Sequence, residues 1–379
     1  MIPYSKHSIN DDDINEVIKV LKSEMITQGP LVERFEKTIC SYTSSNYSVL
    51  TNSATSALHI SCLALGLREG DVLWTSPNSY VASANVGLLC NAEVDFVDIN
   101  SETYNMCSTA LSTKLRDAEK NGKLPKIVMP VHFAGQSCDM INIKKLSEKY
   151  GFKIIEDASH AIGGVYMNTK IGSCKFSDIT VFSFHPVKII TTAEGGCATT
   201  NDENIFEKLK LLSSHGVTRN PKNMVKKTLD KWVYDQISIG FNYRMSDLNA
   251  ALGLSQLLRI DSFINKRNKI AKKYFQHLKN LDLKLPKQED YNSSALHLFP
   301  IQVNNRKKIY NLLHRNDIKV NVHYRPIHTQ PFWQNRGFKF GLFPNSELYY
   351  SKAISLPIFY DLNDEMQDCV INVLQKSCL

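Results

Sequence analysis

Short apolar runs alternate with helix-like spacing over the first half of the chain. After Asn10, a good helix N-cap, apolar residues recur every three or four positions through Leu21, which predicts an amphipathic helix. Further helices are predicted at 31–40, 54–65, 81–89 and 141–150. Strands are predicted at 47–50, 72–75, 94–97, 127–131, 152–155 and 179–184. Strands that alternate with helices predict an α/β domain with a mainly parallel sheet.

The pattern changes after residue 196. A helix at 205–212 precedes a long polar segment, 215–240, and such a segment inside a compact domain indicates a functional or intersubunit role. Two more helices are predicted, one capped by Ser246 and reaching 258, the other at 264–278. A strand at 298–303, a helix at 307–315 and a strand at 320–324 follow. We therefore expect a large domain over 1–260 and a small C-terminal α/β domain over 261–379.

Composition narrows the class of protein. The 379 residues carry 45 Lys and Arg against 37 Asp and Glu, a net charge of +8 that suits an anionic small molecule as well as nucleic acid. The densest basic stretch, 219–231 with Lys222, Lys226 and Lys227, favours a solvated loop, because zinc spacings, helix-turn-helix signals and interleaved aromatic residues are missing. We expect no nucleic-acid partner.

The cysteines and the apolar runs indicate the compartment. Nine cysteines, an odd number without a Cys-x-x-Cys pair, favour a reducing compartment over a disulfide scaffold or a metal site. No signal peptide and no apolar run of membrane-spanning length is evident in the sequence. We expect a cytoplasmic protein without a metal ion and without a membrane partner.

Two candidate binding segments follow the first two predicted strands of the sheet. Residues 51–55 open a helix, where free backbone N–H groups, the helix dipole and hydroxyls favour a phosphate. An ordinary N-cap is the alternative interpretation. Tyr80 follows strand 72–75 and offers a flat ring to a planar ligand, although a single tyrosine is more often a core residue. Ligands bind at the carboxyl ends of the strands in open parallel sheets.

Two charged residues follow later strands. Asp157 comes after strand 152–155, where a carboxylate is costly unless it pairs with a cation such as a protonated ring nitrogen. Lys188 lies between the strand 179–184 and a turn-rich segment, flanked by Ser183 and His185. A solvated lysine is the alternative, but a partly desolvated one forms Schiff bases readily. Pyridoxal phosphate requires four features, and they occur along the chain in this order: a phosphate site, an aromatic ring to stack on the cofactor, a carboxylate and a lysine.

Six segments resemble the DegT/DnrJ/EryC1/StrS family of pyridoxal-phosphate sugar aminotransferases. They are Asn52-Ser-Ala-Thr-Ser-Ala-Leu58, Glu156-Asp-Ala-Ser-His160, Phe182-Ser-Phe-His-Pro-Val-Lys188, Thr191-Thr-Ala-Glu-Gly-Gly196, Gly240-Phe-Asn-Tyr-Arg244 and Val322-His-Tyr-Arg-Pro-Ile327. The resemblance implies a fold type I enzyme and a homodimer with shared active sites. It also implies pyridoxal 5'-phosphate as a Schiff base on Lys188, with Asp157 on the ring nitrogen.

The resemblance assigns further residues. The ring would contact Tyr80 on one face and His160, which stands where many members have Gln, on the other face or near the ring hydroxyl. The phosphate would be held by Ser53, Ala54, Thr55 and Ser183, and by Asn242 from the neighbouring subunit. Expected substrate contacts are Tyr4, His185, Arg244, His323 and Tyr324.

The expected reaction follows from finer similarities. Pro3-Tyr4-Ser5, Thr27-Gln28-Gly29 and His160 resemble members that act in pseudaminic acid biosynthesis. These imply transfer of an amino group from L-glutamate to C4 of a UDP-linked 4-keto-6-deoxy-N-acetyl sugar. An aminotransferase for another nucleotide sugar is the main alternative. A sugar 3-dehydratase would carry His in place of Lys188, and a regulatory protein on this fold would lose Lys188 or Asp157.

Overall fold

The structure is a computed structural model that describes residues 1–220, 223–224, 230 and 232–377. Of the basic stretch, Lys222, Lys226 and Lys227 lie outside the described residues, as does Cys378. The other eight cysteines are free thiols. Within the described ranges, no helix is long and apolar enough to cross a membrane.

In the first half of the chain, most of the predicted helices and strands are present in the structure. The helices are α1 (Asp11–Leu21), α2 (Pro30–Thr43), α3 (Ala54–Ala64), α4 (Ala82–Leu89), α5 (Ser108–Lys120), α6 (Met140–Tyr150), α7 (Glu203–Ser213), α8 (Asp247–Leu258), α9 (Ile260–Leu278), α10 (Arg306–Arg315), α11 (Pro331–Gln334), α12 (Pro344–Lys352) and α13 (Asp364–Gln375). The strands are β1 (Tyr47–Thr51), β2 (Val72–Thr75), β3 (Glu93–Phe96), β4 (Ile127–Met129), β5 (Lys153–Asp157), β6 (Val165–Tyr166), β7 (Thr169–Lys170), β8 (Ile179–Ser183), β9 (Gly196–Thr200), β10 (Val217–Thr218), β11 (Asp235–Gln236), β12 (Leu283–Lys284), β13 (Asn292–Ser293), β14 (Phe299–Val303) and β15 (Ala353–Leu356).

A seven-stranded sheet in the order β1-β9-β8-β5-β4-β2-β3 forms the centre of the molecule. Neighbours from β8 through β5, β4 and β2 to β3 pair in parallel. Strand β9 pairs antiparallel with both β8 and β1, so it alone runs in the opposite direction. The mainly parallel α/β sheet is therefore confirmed. The carboxyl ends of β1, β2, β5 and β8, each followed by a candidate site residue, meet at one edge.

A second core lies around the small sheet β12-β14-β15 and the helices α10 and α13. Helix α9 contributes to both cores, because Phe263 near its start packs beneath the large sheet and Tyr274 near its end packs in the second core. The expected domain boundary at 260/261 falls at the start of this helix.

Several elements differ from the expectation, and three of these differences bear on the site or its surroundings. The strand expected at 320–324 is wrong, because this segment makes one bridge, Asn321 to Ser355, and then turns away. Helix α5 was not expected, because charged residues interrupt its apolar positions. The segment 215–240 contains the hairpin β10–β11, in which Val217 pairs with Gln236.

Candidate active site

The turn after β1 presents a helix N-terminus. Ser53 caps α3, and its Oγ accepts a hydrogen bond from the N–H of Ser56 at 3.1 Å. Ala54 and Thr55 lie in the first turn, where backbone N–H groups have no intrahelical acceptor. A Cβ at Gly196 would lie 2.5 Å from the nitrogen of Ala54, so a glycine there lets β9 pass close to the helix. This part of the site attracts an anion.

Ser183 belongs to the same region. It ends β8, is buried, and pairs with Gly196 in the register of β8 and β9. Its backbone therefore lies beside the strand that packs against the start of α3.

Lys188 follows in a tight turn, in which its N–H donates to the carbonyl oxygen of His185 at 2.9 Å. Lys188 is half-buried. Burial lowers the pKa of Lys188 from 10.5 to about 8, although the nearby Asp157 carboxylate opposes the shift. An amine with such a pKa has a much larger neutral fraction near physiological pH than an ordinary lysine, and this neutral form can act as a nucleophile or a base.

Asp157 is the last residue of β5, the strand beside β8, and it is 4% exposed. The strand was expected to end at 155 but continues through Asp157. Its Oδ1 accepts from the N–H of Ser159 at 3.2 Å and from Ser159 Oγ at 2.6 Å, and its Oδ2 accepts from Ser83 Oγ at 2.6 Å. These donors hold a buried carboxylate whose charge acts on Lys188.

An imidazole and two phenol rings lie on the same side. His160 Nδ1 accepts from the N–H of Ala134 at 3.3 Å, so the ring proton lies on Nε2, which donates to Tyr324 Oη at 3.1 Å. Burial, and then the positive charge of Lys188, hold the pKa of His160 well below its usual range. Tyr80 is 65% exposed, and its ring centroid lies 6.4 Å from that of Tyr324.

The segment that failed to form a strand brings His323 into the site. Its Nδ1 lies 2.8 Å from Ser355 Oγ, and burial, with Lys188 nearby, lowers the pKa of His323 to about 3. The ring of Tyr4 lies 5.5 Å from that of His323. Residues from both ends of the chain thus converge beside Lys188.

Three expected site residues have side chains that make no hydrogen bond to these rings, Lys188 or Asp157 among the described residues. His185 is exposed, and its Nδ1 accepts from the N–H of Val187 in its own turn at 3.5 Å. Arg244 donates to Ser214 Oγ at 3.2 Å and lines a cleft of about 830 Å³ on the other side of β1. Asn242 is exposed, with its carbonyl oxygen 3.4 Å from Asn52 Nδ2 of the same chain.

Four residues near the site were not among the predicted site residues. Ser83 and His297 stand in segments without a distinguishing pattern. Ser79 directly precedes Tyr80 in the candidate segment after β2, and Ser159 lies within the Glu156–His160 motif. His297 is buried, its ring centroid is 4.4 Å from that of His160, and its Nδ1 has no partner among the described residues.

Comparison with known proteins identifies the class. Residues 7–375 match the DegT/DnrJ/EryC1/StrS aminotransferase family. The UDP-4-amino-4,6-dideoxy-N-acetyl-beta-L-altrosamine transaminase of Campylobacter jejuni is 36% identical over 387 residues, which cover 99% of this chain and 98% of that protein. PseC of Helicobacter pylori, an aminotransferase involved in the biosynthesis of pseudoaminic acid, superposes with a TM-score of 0.91 at 31% identity, over 99% of this chain and 98% of that one. Spr1654 of Streptococcus pneumoniae, in its PLP form, superposes with a TM-score of 0.89 at 29% identity, over 99% of both chains.

The fold and these similarities define a pyridoxal-phosphate-dependent aminotransferase of fold type I. More particularly, the chain belongs to the DegT/DnrJ/EryC1/StrS aminotransferase family.

The residues of this structure fit the cofactor. A helix N-terminus with open N–H groups suits a phosphate, and Gly196 leaves room beside it. At the same edge of the sheet, Lys188 has a lowered pKa, and the buried Asp157 has no Lys or Arg within salt-bridge distance among the described residues. A protonated pyridine nitrogen is a suitable partner for such a carboxylate.

Proposed function

We propose that this enzyme transfers an amino group from L-glutamate to C4 of a UDP-linked 4-keto-6-deoxy-N-acetylhexose. The product is a 4-amino-4,6-dideoxy sugar nucleotide for pseudaminic acid biosynthesis. The observation that carries the chemistry is the meeting of Lys188 and Asp157 at the ends of adjacent strands. The substrate rests on the full-length similarity to the Campylobacter jejuni and Helicobacter pylori proteins.

The cofactor contacts are part of the proposal. Lys188 binds the cofactor covalently, and Asp157 pairs with its ring nitrogen. Tyr80 covers one ring face, and His160 lies at the other face or near the ring hydroxyl. The phosphate is held by Ser53, Ala54, Thr55, Ser183 and Asn242 of the partner subunit.

When bound, pyridoxal phosphate carries the amino group between donor and acceptor and delocalises the electrons of the substrate carbanion. Lys188, released by the amine donor, moves a proton to and from the substrate carbon, and its pKa of about 8 suits a base at neutral pH. The low pKa of His323 keeps that imidazole neutral, so it positions the substrate through hydrogen bonds and not through charge.

The sugar side is proposed to comprise Tyr4, His323 and Tyr324, which lie together, with His185 and Arg244. Arg244 lines a cleft on the far side of β1, so we propose that it contacts the substrate in the active site of a second subunit.

A homodimer is proposed from the surface of the described chain. Trp232, Tyr234 and Ile239 are 76%, 55% and 79% exposed on and beside the hairpin β10–β11. Large exposed apolar side chains grouped in this way favour a protein interface.

A panel of sugar nucleotides tests the substrate. Purified enzyme with pyridoxal phosphate and L-glutamate is assayed on UDP- and dTDP-linked 4-keto-6-deoxy sugars, with and without the N-acetyl group. We expect the highest kcat/KM for the UDP-linked N-acetyl sugar, with formation of 2-oxoglutarate in equal amount. A preference for another sugar of about tenfold or more, equal to about 1.4 kcal/mol, favours the alternative nucleotide-sugar aminotransferase. Lys188→Ala serves as the control for non-enzymatic transfer.

A further inference from the structure

The buried carboxylate of Asp157 is held by a chain of hydroxyl groups. Ser83 Oγ lies 2.6 Å from Oδ2, and Ser79 Oγ lies 2.7 Å from Ser83 Oγ. On the other oxygen, Oδ1, Ser159 supplies both its hydroxyl and its backbone N–H. Ser79 and Ser83 are 4% and 1% exposed, so bulk water does not compete for these bonds.

The direction of the chain follows from proton counting. An ionised carboxylate only accepts hydrogen bonds, so Ser83 uses its single hydroxyl proton on Asp157. Ser83 can then only accept from Ser79, and the order of donation is Ser79 to Ser83 to Asp157. Within the described part of the chain, Ser83 is the one donor to Oδ2, whereas Oδ1 has two donors.

The chain also connects two parts of the site that are distant in sequence. Ser79 directly precedes Tyr80, and Ser83 lies in the first turn of α4. Asp157 lies at the end of β5, two strands away from β2 in the sheet. The hydroxyl chain therefore fixes the carboxylate relative to the turn that carries Tyr80.

We propose that Ser83 is a positioning residue for the aminotransferase reaction, which orients Asp157 toward the cofactor's ring nitrogen and ties it to the Tyr80 turn. This inference rests on the proposed function of Asp157. Hydrogen bonds to a charged group contribute more than bonds between neutral groups, so loss of one weakens cofactor binding about tenfold.

The test compares full-length variants of the apoprotein and the holoenzyme. Ser83→Ala removes the donor to Oδ2, and Ser83→Thr keeps a hydroxyl. Ser147→Ala is the matched control, because Ser147 is a buried serine whose Oγ donates at 2.6 Å to the carbonyl oxygen of Phe152. Phe152 directly precedes β5, so this bond lies at the opposite end of that strand from Asp157. Three quantities are measured: the Kd for pyridoxal 5'-phosphate by fluorescence titration, the midpoint of the holoenzyme's absorbance change with pH, and the Tm of the apoprotein.

We expect Ser83→Ala to raise the Kd about tenfold and to shift the absorbance midpoint. Ser83→Thr restores both to within about threefold, and Ser147→Ala changes neither. Ser83→Ala has no further effect on the Kd in an Asp157→Asn background. A wild-type Kd and midpoint in Ser83→Ala, with both altered in Asp157→Asn, overturn the inference and leave the proposed role of Asp157 intact.

Three other results also overturn it. If Ser83→Ala and Ser83→Thr lose cofactor affinity and Tm equally, and Ser147→Ala loses neither, Ser83 has a packing role. An equal loss of affinity from Ser83→Ala with and without Asp157 shows that Ser83 acts independently of that carboxylate. If Asp157→Asn itself has the wild-type Kd and midpoint, the proposed role of Asp157 fails and the role of Ser83 fails with it.

Discussion

At the scale of single residues, the pKa of Lys188 predicts how the apoprotein takes up its cofactor. Only a neutral amine attacks the cofactor's aldehyde, and the pKa of about 8 sets the neutral fraction. The rate of covalent attachment therefore rises about tenfold per pH unit below pH 8 and levels off above it. Stopped-flow absorbance of the apoprotein mixed with pyridoxal phosphate measures this rate. A midpoint near the ordinary value for lysine, about 10.4, contradicts the prediction, and Lys188→Ala corrects for surface lysines.

Asp157→Asn tests the second charge of the site. The amide keeps the shape but removes the charge opposite the ring nitrogen, so kcat falls by about a hundredfold or more. Since the Asp157 carboxylate raises the pKa of Lys188, its removal also moves the attachment midpoint below pH 8. Steady-state kinetics and the same stopped-flow assay check both results, with circular dichroism as the control for the fold. Unchanged turnover contradicts the role of Asp157.

At the scale of elements, β9 passes the start of α3 with a close backbone contact. In Gly196→Ala, the new Cβ meets backbone atoms of Ser53 and Ala54 at 2.5–2.6 Å, which a side-chain rotation does not relieve. We expect a loss of stability of about 1–3 kcal/mol and weaker binding of pyridoxal phosphate.

Gly122→Ala is the matched control for that substitution. Gly122 has a φ of +64° and open space around its Cβ position, so alanine there costs about 1 kcal/mol from the backbone alone. Denaturant unfolding and cofactor titration separate the two effects. If Gly196→Ala binds the cofactor as tightly as Gly122→Ala does, the contact does not shape the phosphate site.

At the scale of the whole molecule, the position of Asn242 distinguishes a shared site from a site within one chain. Asn242 lies beside Asn52 of its own chain, yet the family resemblance predicts that it reaches the partner's phosphate. Lys188→Ala and Asn242→Ala subunits are each expected to be nearly inactive. After mixing and exchange, a shared site predicts recovery of about a quarter of the wild-type activity, because half the dimers then contain one intact site.

No recovery in the mixed sample, with subunit exchange verified by differently tagged chains, places Asn242 in the site of its own chain. A separate measurement tests the interface. Trp232→Glu combined with Ile239→Glu is expected to give monomers in light scattering. The two substitutions replace exposed apolar side chains of the proposed interface with charged ones. Leu348→Glu, which alters an apolar side chain 55% exposed on α12, is the control and leaves the dimer unchanged.

The sequence by itself determined the alternation of strands and helices, the order of the site segments and the class of cofactor. These depend on local spacing and on residue chemistry: the cap at Ser53, the apolar strand before Lys188 and the acid at Asp157 are all readable along the chain. The boundaries of β5 and the absence of a strand at 320–324 could not be predicted from the sequence, because backbone pairing there depends on partners far away in sequence.

Only the tertiary structure decided which strand ends are neighbours and how their side chains are held. The bond from Ser83 to Asp157 joins positions 74 apart, and β9 enters the sheet between β1 and β8 against the direction of the others. The lowered pKa values of Lys188 and His323 arise from burial by segments at both ends of the chain. Burial and hydrogen bonding are properties of packed neighbours, and packing brings together residues that no local pattern relates.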